Sequence, residues 1–171
     1  MNNIYKSIKN SSLLFLIIAN FFCYNKSDVE YLIICSDGSC ESAQDISNIY
    51  NYEIEDSKQL ATTFVNINDI QAQDDSLNYK IRDYLIEYTN LRFLLLFGSY
   101  ETIPPIVKNS IPSDDYYTSN SANHDLFESI TDVNTGRIPF NNAVQSKQYA
   151  DKLKKYLLER NAGSWKSKIL L

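Results

Sequence analysis

Leu91-Arg92-Phe93-Leu94-Leu95-Leu96-Phe97-Gly98-Ser99 is the stretch on which the fold turns. Six of its first seven residues are apolar, and a glycine stops the run. So short and continuous a run reads as a strand buried on both faces, as the middle of a parallel sheet requires. Tyr100-Glu101-Thr102-Ile103-Pro104-Pro105 follows and cannot be helix across the prolines. Ile111-Pro112-Ser113-Asp114-Asp115-Tyr116-Tyr117 reads as a polar loop, and Thr131-Asp132-Val133-Asn134-Thr135-Gly136-Arg137-Ile138-Pro139 comes after it. No alternating or helical repeat accounts for this order of punctuation.

Upstream, strands and helices alternate. Val29-Glu30-Tyr31-Leu32-Ile33-Ile34-Cys35 is a β-branched and aromatic run closed by Ser36-Asp37-Gly38-Ser39. That closing cluster is either a plain turn or a site-forming loop at the carboxyl end of a parallel strand. Ser42 to Gln59 carries Ile46, Ile49, Tyr50 and Ile54 at near-helical intervals and predicts one helix with a break near Glu53. Ala61 to Ile67 predicts a second strand. Asn68-Asp69 and Asp74-Asp75-Ser76 are capping material for a helix from Ser76 to Tyr88. Its Leu77, Ile81, Leu85 and Tyr88 fall on one face. Strand, helix, strand, helix, strand predicts an α/β fold, a mostly parallel sheet flanked by helices with right-handed crossovers.

Downstream of Phe97 the regular pattern stops for some thirty residues, a length that is usually functional inside a compact domain. This loop holds Asp114, Asp115, Tyr116, Tyr117 and the single histidine, His124. Asp132 to Ile138 predicts a short strand. Asn141-Asn142 caps a last helix over Ala143 to Glu159, with Val144, Leu153, Tyr156 and Leu157 as its buried side and Asp151–Lys155 as an exposed pair. Asn161-Ala162-Gly163 ends it. Trp165-Lys166-Ser167-Lys168-Ile169-Leu170-Leu171 then begins a new strand, and its rising hydrophobicity predicts that the chain is a fragment of a longer protein.

Composition narrows the function classes. In 171 residues, 44% apolar and 13% aromatic content suffice for one core, and thirteen tyrosines with four glycines argue against a low-complexity chain. The net charge is −5 and no basic cluster stands out, so no nucleic-acid partner is expected. The four glycines are never closely spaced, which excludes a P-loop and a Gly-x-Gly-x-x-Gly turn.

The first residues set the compartment. Lys6 and Lys9 precede an apolar run from Leu13 to Phe22, broken only by Asn20. This is too short to span a membrane and the right length for a secretory signal, so residues 1–27 are read as a signal peptide or targeting leader. The expected location is extracellular or at the cell surface. A periplasmic form stays open, as does a form lipid-anchored at Cys23, although Phe21 and Phe22 stand where small residues belong. Membrane contact is expected only through the leader. Cys35 and Cys40 either close a small disulfide loop or are a buried strand residue and a loop residue. Two cysteines and one histidine make no convincing zinc site.

The buried strand ending in Gly98, the Ile103-Pro104, the Ser113-Asp114-Asp115-Tyr116-Tyr117 loop and Asp132-x-x-x-Gly136-Arg137 before a helix resemble the gingipain-like cysteine peptidases. All four elements stand in order. The resemblance implies that residues 28–163 are the first α/β subdomain of a caspase-like catalytic domain and that 164–171 begin the second. In that family the catalytic histidine follows a glycine and the cysteine ends the next core strand, both in the second subdomain. No Gly-His dipeptide occurs here, since His124 sits between Asn123 and Asp125. The resemblance therefore implies a dyad beyond Leu171 and no catalytic residue in this chain, with no cofactor required. The full-length substrate would be a protein or peptide.

Some members are stabilised by calcium, and hard cations take carboxylate oxygens. The candidate ligands are Asp114, Asp115, Asp125, Glu128 and Asp132, against a reading in which Asp114 caps a turn and Asp132 holds the loop through backbone N–H groups. Where the family often has aspartate after the strand's glycine, this chain has Ser99. Asp114, Asp132 and Arg137 are read as loop anchors, with Arg137 pairing to Asp114 or Asp132. The expected function is the N-terminal part of an exported cysteine endopeptidase, inactive alone. The alternative is a non-catalytic exported binding module of the same fold, using the Asp114 to Glu128 loop.

Overall fold

The computed structural model describes residues 25–70, 76–108, 110–118, 132–140 and 142–159. Residues 1–24 of the leader, Asp74, Asp75, His124, Asp125, Glu128, Asn141, Asn161-Ala162-Gly163 and the Trp165 to Leu171 run lie outside the described residues.

Four parallel strands form the sheet: β1 (Tyr31–Cys35), β2 (Thr62–Asn66), β3 (Phe93–Phe97) and β6 (Asn134–Ile138). Between β3 and β6 lies an antiparallel hairpin, β4 (Ile106–Lys108) and β5 (Ile111–Ser113). The helices are α1 (Cys40–Asn48), α2 (Leu77–Ile86) and α3 (Ala143–Leu158). The sheet order is β2-β1-β3-β6.

Strand alternation divides the core in two. Leu32, Ile34, Leu94 and Leu96 point to one face, under Ile81 and Leu85 of α2 and the ring of Tyr117. Ile33, Cys35, Leu95 and Phe97 point to the other, under Ala43 and Ile46 of α1 and Ala150 of α3. Leu94 to Phe97 are all buried, as a strand covered on both faces requires. The expected α/β fold with a parallel sheet is therefore the observed one.

Four local expectations need correction. The helical run breaks at Glu53, as expected, but does not resume to Gln59: α1 widens into a π-turn at Ile49–Glu53, a 3-10 turn follows at Asp56–Lys58, and Leu60 N–H donates back to Tyr50 O at 3.2 Å. The long region after Phe97 is not without regular structure. Its hairpin strands are three residues long, and Ser110 turns the chain with φ 66°. Pro112 hides the pattern because it cannot donate in a ladder. It pairs with Val107, where the two-bond exchange is chemically unavailable.

The buried face of α3 is also different. Val144 is 66% exposed and Tyr156 is 50% exposed, whereas Ser146 and Ala150 are buried. Small residues let α3 approach α1 closely enough for the Ser42 and Ser146 hydroxyls to meet at 3.2 Å. Asp151 pairs one turn earlier than expected, with Lys147 at 2.9 Å. Asn142 caps α3, accepting from Gln145 N–H at 3.0 Å.

Candidate functional site at the carboxyl edge of the sheet

From β1 the chain moves outward to β2, and from β3 it moves the opposite way to β6. The order thus reverses between β1 and β3, and in such sheets the crevice at the carboxyl ends of those two strands is where function gathers. The loops that meet there are Ser36 to Ser39 and Gly98 to Ile103.

They are packed against each other with no spare room. A Cβ on Gly98 would lie 2.8 Å from Thr102 Oγ1, 3.0 Å from Ser36 Oγ and 3.2 Å from Ile103 Cδ1. Glycine ends this strand because the neighbouring loop occupies the space of a side chain. Ser36 N–H donates to Phe97 O at 3.3 Å, and the buried Ser39 hydroxyl donates to Ser36 O at 2.6 Å. Asp37 accepts from Asn66 Nδ2 at 3.0 Å and from Asn68 Nδ2 at 2.7 Å, which ties the β1 loop to the end of β2. A disulfide joins Cys35, the last residue of β1, to Cys40, the first of α1, with Cα atoms 5.3 Å apart. Of the two readings left open for these cysteines, the structure holds the disulfide.

Arg137 braces the other loop. Its register opposite Leu96 turns its side chain to the α2 face. Nε donates to Asp114 Oδ2 at 2.7 Å and Nη2 to Asp114 Oδ1 at 2.6 Å, the parallel fork of a bidentate pair. Nη1 donates to the carbonyls of Gly98 and Ser99, each at 3.2 Å. The Tyr100 ring lies 4.7 Å from the guanidinium carbon. Ser99 O also accepts Ile103 N–H at 2.9 Å and the Thr102 hydroxyl at 3.1 Å. One arginine thereby fixes the end of β3, the loop after it and the segment after the hairpin. The Ser99 hydroxyl, donating to Glu101, holds that exposed carboxyl below its usual range.

Of the sequence-read anchors, Asp114 and Arg137 come together. Asp132 is elsewhere: it is exposed at the amino end of β6, its backbone N–H donates to Thr118 O at 3.0 Å, and it lines a cleft of about 690 Å³ with Asp28, Glu30 and Arg92. Each Asp114 oxygen accepts one bond from Arg137, which sets the guanidinium charge against this carboxylate. Among the described residues no three metal-ligating side chains gather. Asp125 and Glu128 lie outside those residues.

Two more residues hold this loop: Arg82, which had no sequence signal, and Tyr117, which the Ser113 to Tyr117 motif contained without revealing its role. Arg82, one position from core Ile81, is 6% exposed and donates to Tyr116 O at 2.6 Å. Tyr117 donates its hydroxyl to Pro104 O, and burial, with the Asp114 charge second, pushes its pKa up. Together they hold the turn after the hairpin onto α2.

The sequence profile of Peptidase family C25 matches residues 24–171. The chain belongs to this family, that of the gingipains. Solved structures agree in fold. The chain is similar to the RgpB pro- and mature-domain complex of Porphyromonas gingivalis, with 20% identity and a TM-score of 0.60 over 77% of this chain and 29% of that one. It is similar to the dimeric latent PorU of the same organism, with 13% identity and a TM-score of 0.61 over 81% and 16%. It is also similar to the Arg-specific cysteine proteinase gingipain R, with 19% identity and a TM-score of 0.58 over 78% and 29%. The chain thus spans less than a third of each of these structures. Comparison with curated protein sequences gave no match.

Proposed function

We propose that this C25 chain is the first subdomain of an exported cysteine endopeptidase, with residues 28–163 supporting a thiol chemistry carried by a second subdomain that begins near residue 164. The observation that carries this reading is the Arg137 brace. It fixes the carboxyl-edge loop after β3 through a bidentate pair and two backbone carbonyls, and among the described residues it brings no thiolate or imidazole to that edge. A peptidase of this class needs a thiolate and a histidine that takes and returns its proton. Cys35 and Cys40 are bonded to each other and cannot ionise as thiols. No glycine precedes His124.

The chain's own contribution is positional. The disulfide and the Asp37 bonds hold the β1 loop, and Arg137 holds the β3 loop, so that the edge is a rigid wall beside which a reacting group can be oriented. The substrate class is a protein or peptide, and the leader directs the product outside the cytoplasm.

The test is peptidase activity of the purified 171-residue chain on a denatured protein substrate, with reductant present. No cleavage above background is expected. Thiol-dependent cleavage that disappears on Cys35→Ala or Cys40→Ala would place the nucleophile in this chain and sink the proposal. Sequencing the gene past Leu171 gives an independent check, since a Gly-His pair and a later strand-ending cysteine are expected there.

A further inference from the structure

The Cys35–Cys40 disulfide closes the β1 loop, and its two cysteines stand in different surroundings. Cys35 ends β1 and is fully buried in the core layer of Ile33, Ala43, Ile46 and Phe97. Its Sγ lies 3.2 Å from Val65 O. Cys40 opens α1 and is partly exposed.

Thiol–disulfide exchange is directional, because a thiolate attacks one sulfur and expels the other as a thiolate. Attack at Cys40, the residue that solvent reaches, forms a mixed disulfide there and leaves the S–S electron pair on Cys35 Sγ. A thiolate at that position is a charge inside an apolar layer, facing a carbonyl oxygen. Only the protonated thiol can donate to Val65 O. Attack at Cys35 would instead expel Cys40, whose thiolate a helix N-terminus favours, but Cys35 is closed to solvent. The open route has the poor leaving group, and the route with the good leaving group is shut.

Re-closure is favoured as well. Ser39 donates to Ser36 O from its N–H at 3.0 Å and from its hydroxyl at 2.6 Å, and Asp37 accepts from Asn66 and Asn68. None of these bonds involves a sulfur, so they keep the cysteines together once the S–S bond opens. Cys35 then attacks the mixed disulfide intramolecularly and returns the external thiol. Net reduction needs a second external thiolate to attack the external sulfur first. That step releases Cys40 as a thiolate and carries both external sulfurs away as a disulfide, the two protein thiolates taking protons from water.

We infer that this disulfide is insulated from thiol reductants while the chain is folded, so that the β1 loop stays locked under the reducing conditions a cysteine peptidase needs for its own thiol. The use of the insulation rests on the peptidase reading; the insulation itself does not.

Cys23→Ser leaves Cys35 and Cys40 as the only cysteines, so each alkyl label reports one of them. The folded variant is held with millimolar glutathione, an alkylating reagent is added, and the mass is followed over time. Labelling is expected to be slower than in the urea-unfolded chain by roughly a thousandfold or more, the folded-to-unfolded ratio of a stable domain. Asp37→Ala, which unties the loop from Asn66 and Asn68, should speed labelling severalfold while circular dichroism stays native. Comparable rates in the folded and unfolded chains overturn the inference. A lasting glutathione adduct on Cys40 in the folded chain also overturns it, since Cys35 would then be a tolerated leaving group. An Asp37→Ala variant as slow as its parent overturns the part given to the loop bonds. All these readings are masses and rates of labelling, so their failure leaves the peptidase reading standing.

Discussion

Two arginine–carboxylate pairs sit at opposite ends of the same sheet, and their surroundings make them different objects. At the carboxyl end the Arg137 side chain is 7% exposed and Asp114 23%, with nitrogen and oxygen 2.6 Å apart. At the amino end the Arg92 side chain is 59% exposed and Glu30 32%, at 2.9 Å. The chemistry and the distance are nearly the same. Arg137 has exchanged water for a carboxylate fork and two carbonyls, so deleting either partner strands a buried group. Arg92 keeps its water and gains little from its partner. The sheet therefore concentrates its polar stakes at the edge where the β1 and β3 loops meet.

The largest test of that contrast is Arg137→Ala. Removing the guanidinium leaves Asp114 unpaired and the carbonyls of Gly98 and Ser99 without this donor, and loss of a partner from a buried pair costs about 3–5 kcal/mol. Marginally stable domains have about 5–15 kcal/mol in all, so urea unfolding should show much of the stability gone. Arg137→Lys should recover only part of it, because an ammonium cannot make the fork. Full stability in either variant would mean that the brace is ornamental and that the two pairs are equivalent.

A second test uses pH and sharpens the comparison at the braced end. Tyr117 lies beside Asp114, and burial raises its pKa above the ordinary value of 10.0. The folded state thus holds the phenolic proton more tightly than the unfolded state. The stabilisation is complete below pH about 10, where both states are protonated, and is lost as pH rises through the folded value. Tyr31 shifts the same way, by burial first and its tyrosine neighbours second. Urea midpoints measured from pH 8 to 11 should fall at the alkaline end, and less steeply in Tyr117→Phe. That variant also loses the bond to Pro104 O, about 1 kcal/mol at neutral pH.

The parts legible in the sequence are those with strong local periodicity. Leu91 to Phe97 announced a doubly covered strand because both its faces are apolar, and the strand–helix alternation before it announced parallel pairing. Gly136-Arg137 and Asp114 could be read as anchors, but their pairing could not, since Asp114 and Asp132 are equivalent until the register of β6 with β3 decides which side Arg137 faces. The hairpin was hidden by Pro112 and by strands too short to show alternation. The buried side of α3 was misread because close helix contact favours Ser146 and Ala150 over the larger Val144 and Tyr156. Arg82 was invisible, as nothing local marks a charge that a distant turn will cover.

The smallest expected effect is at the amino end. Arg92→Ala removes the ion pair with Glu30 and the contact of the guanidinium with the Phe93 ring, 5.3 Å away. It leaves the Arg92 N–H to Glu30 O bond at 2.9 Å, because that bond belongs to the backbone. Glu30 is half-buried but keeps contact with water and accepts from Ala61 N–H at 3.4 Å, so no fully buried charge is stranded. Exposed pairs are worth about 0.2–1 kcal/mol, and for a chain of this size 1 kcal/mol moves Tm by about 2–4 °C. The shift should therefore stay below about 4 °C in low salt. It should shrink further at about 1 M NaCl, where charges are screened within about 3 Å, whereas the loss from Arg137→Ala should persist there. Equal salt sensitivity at the two ends would show that burial is not what separates them.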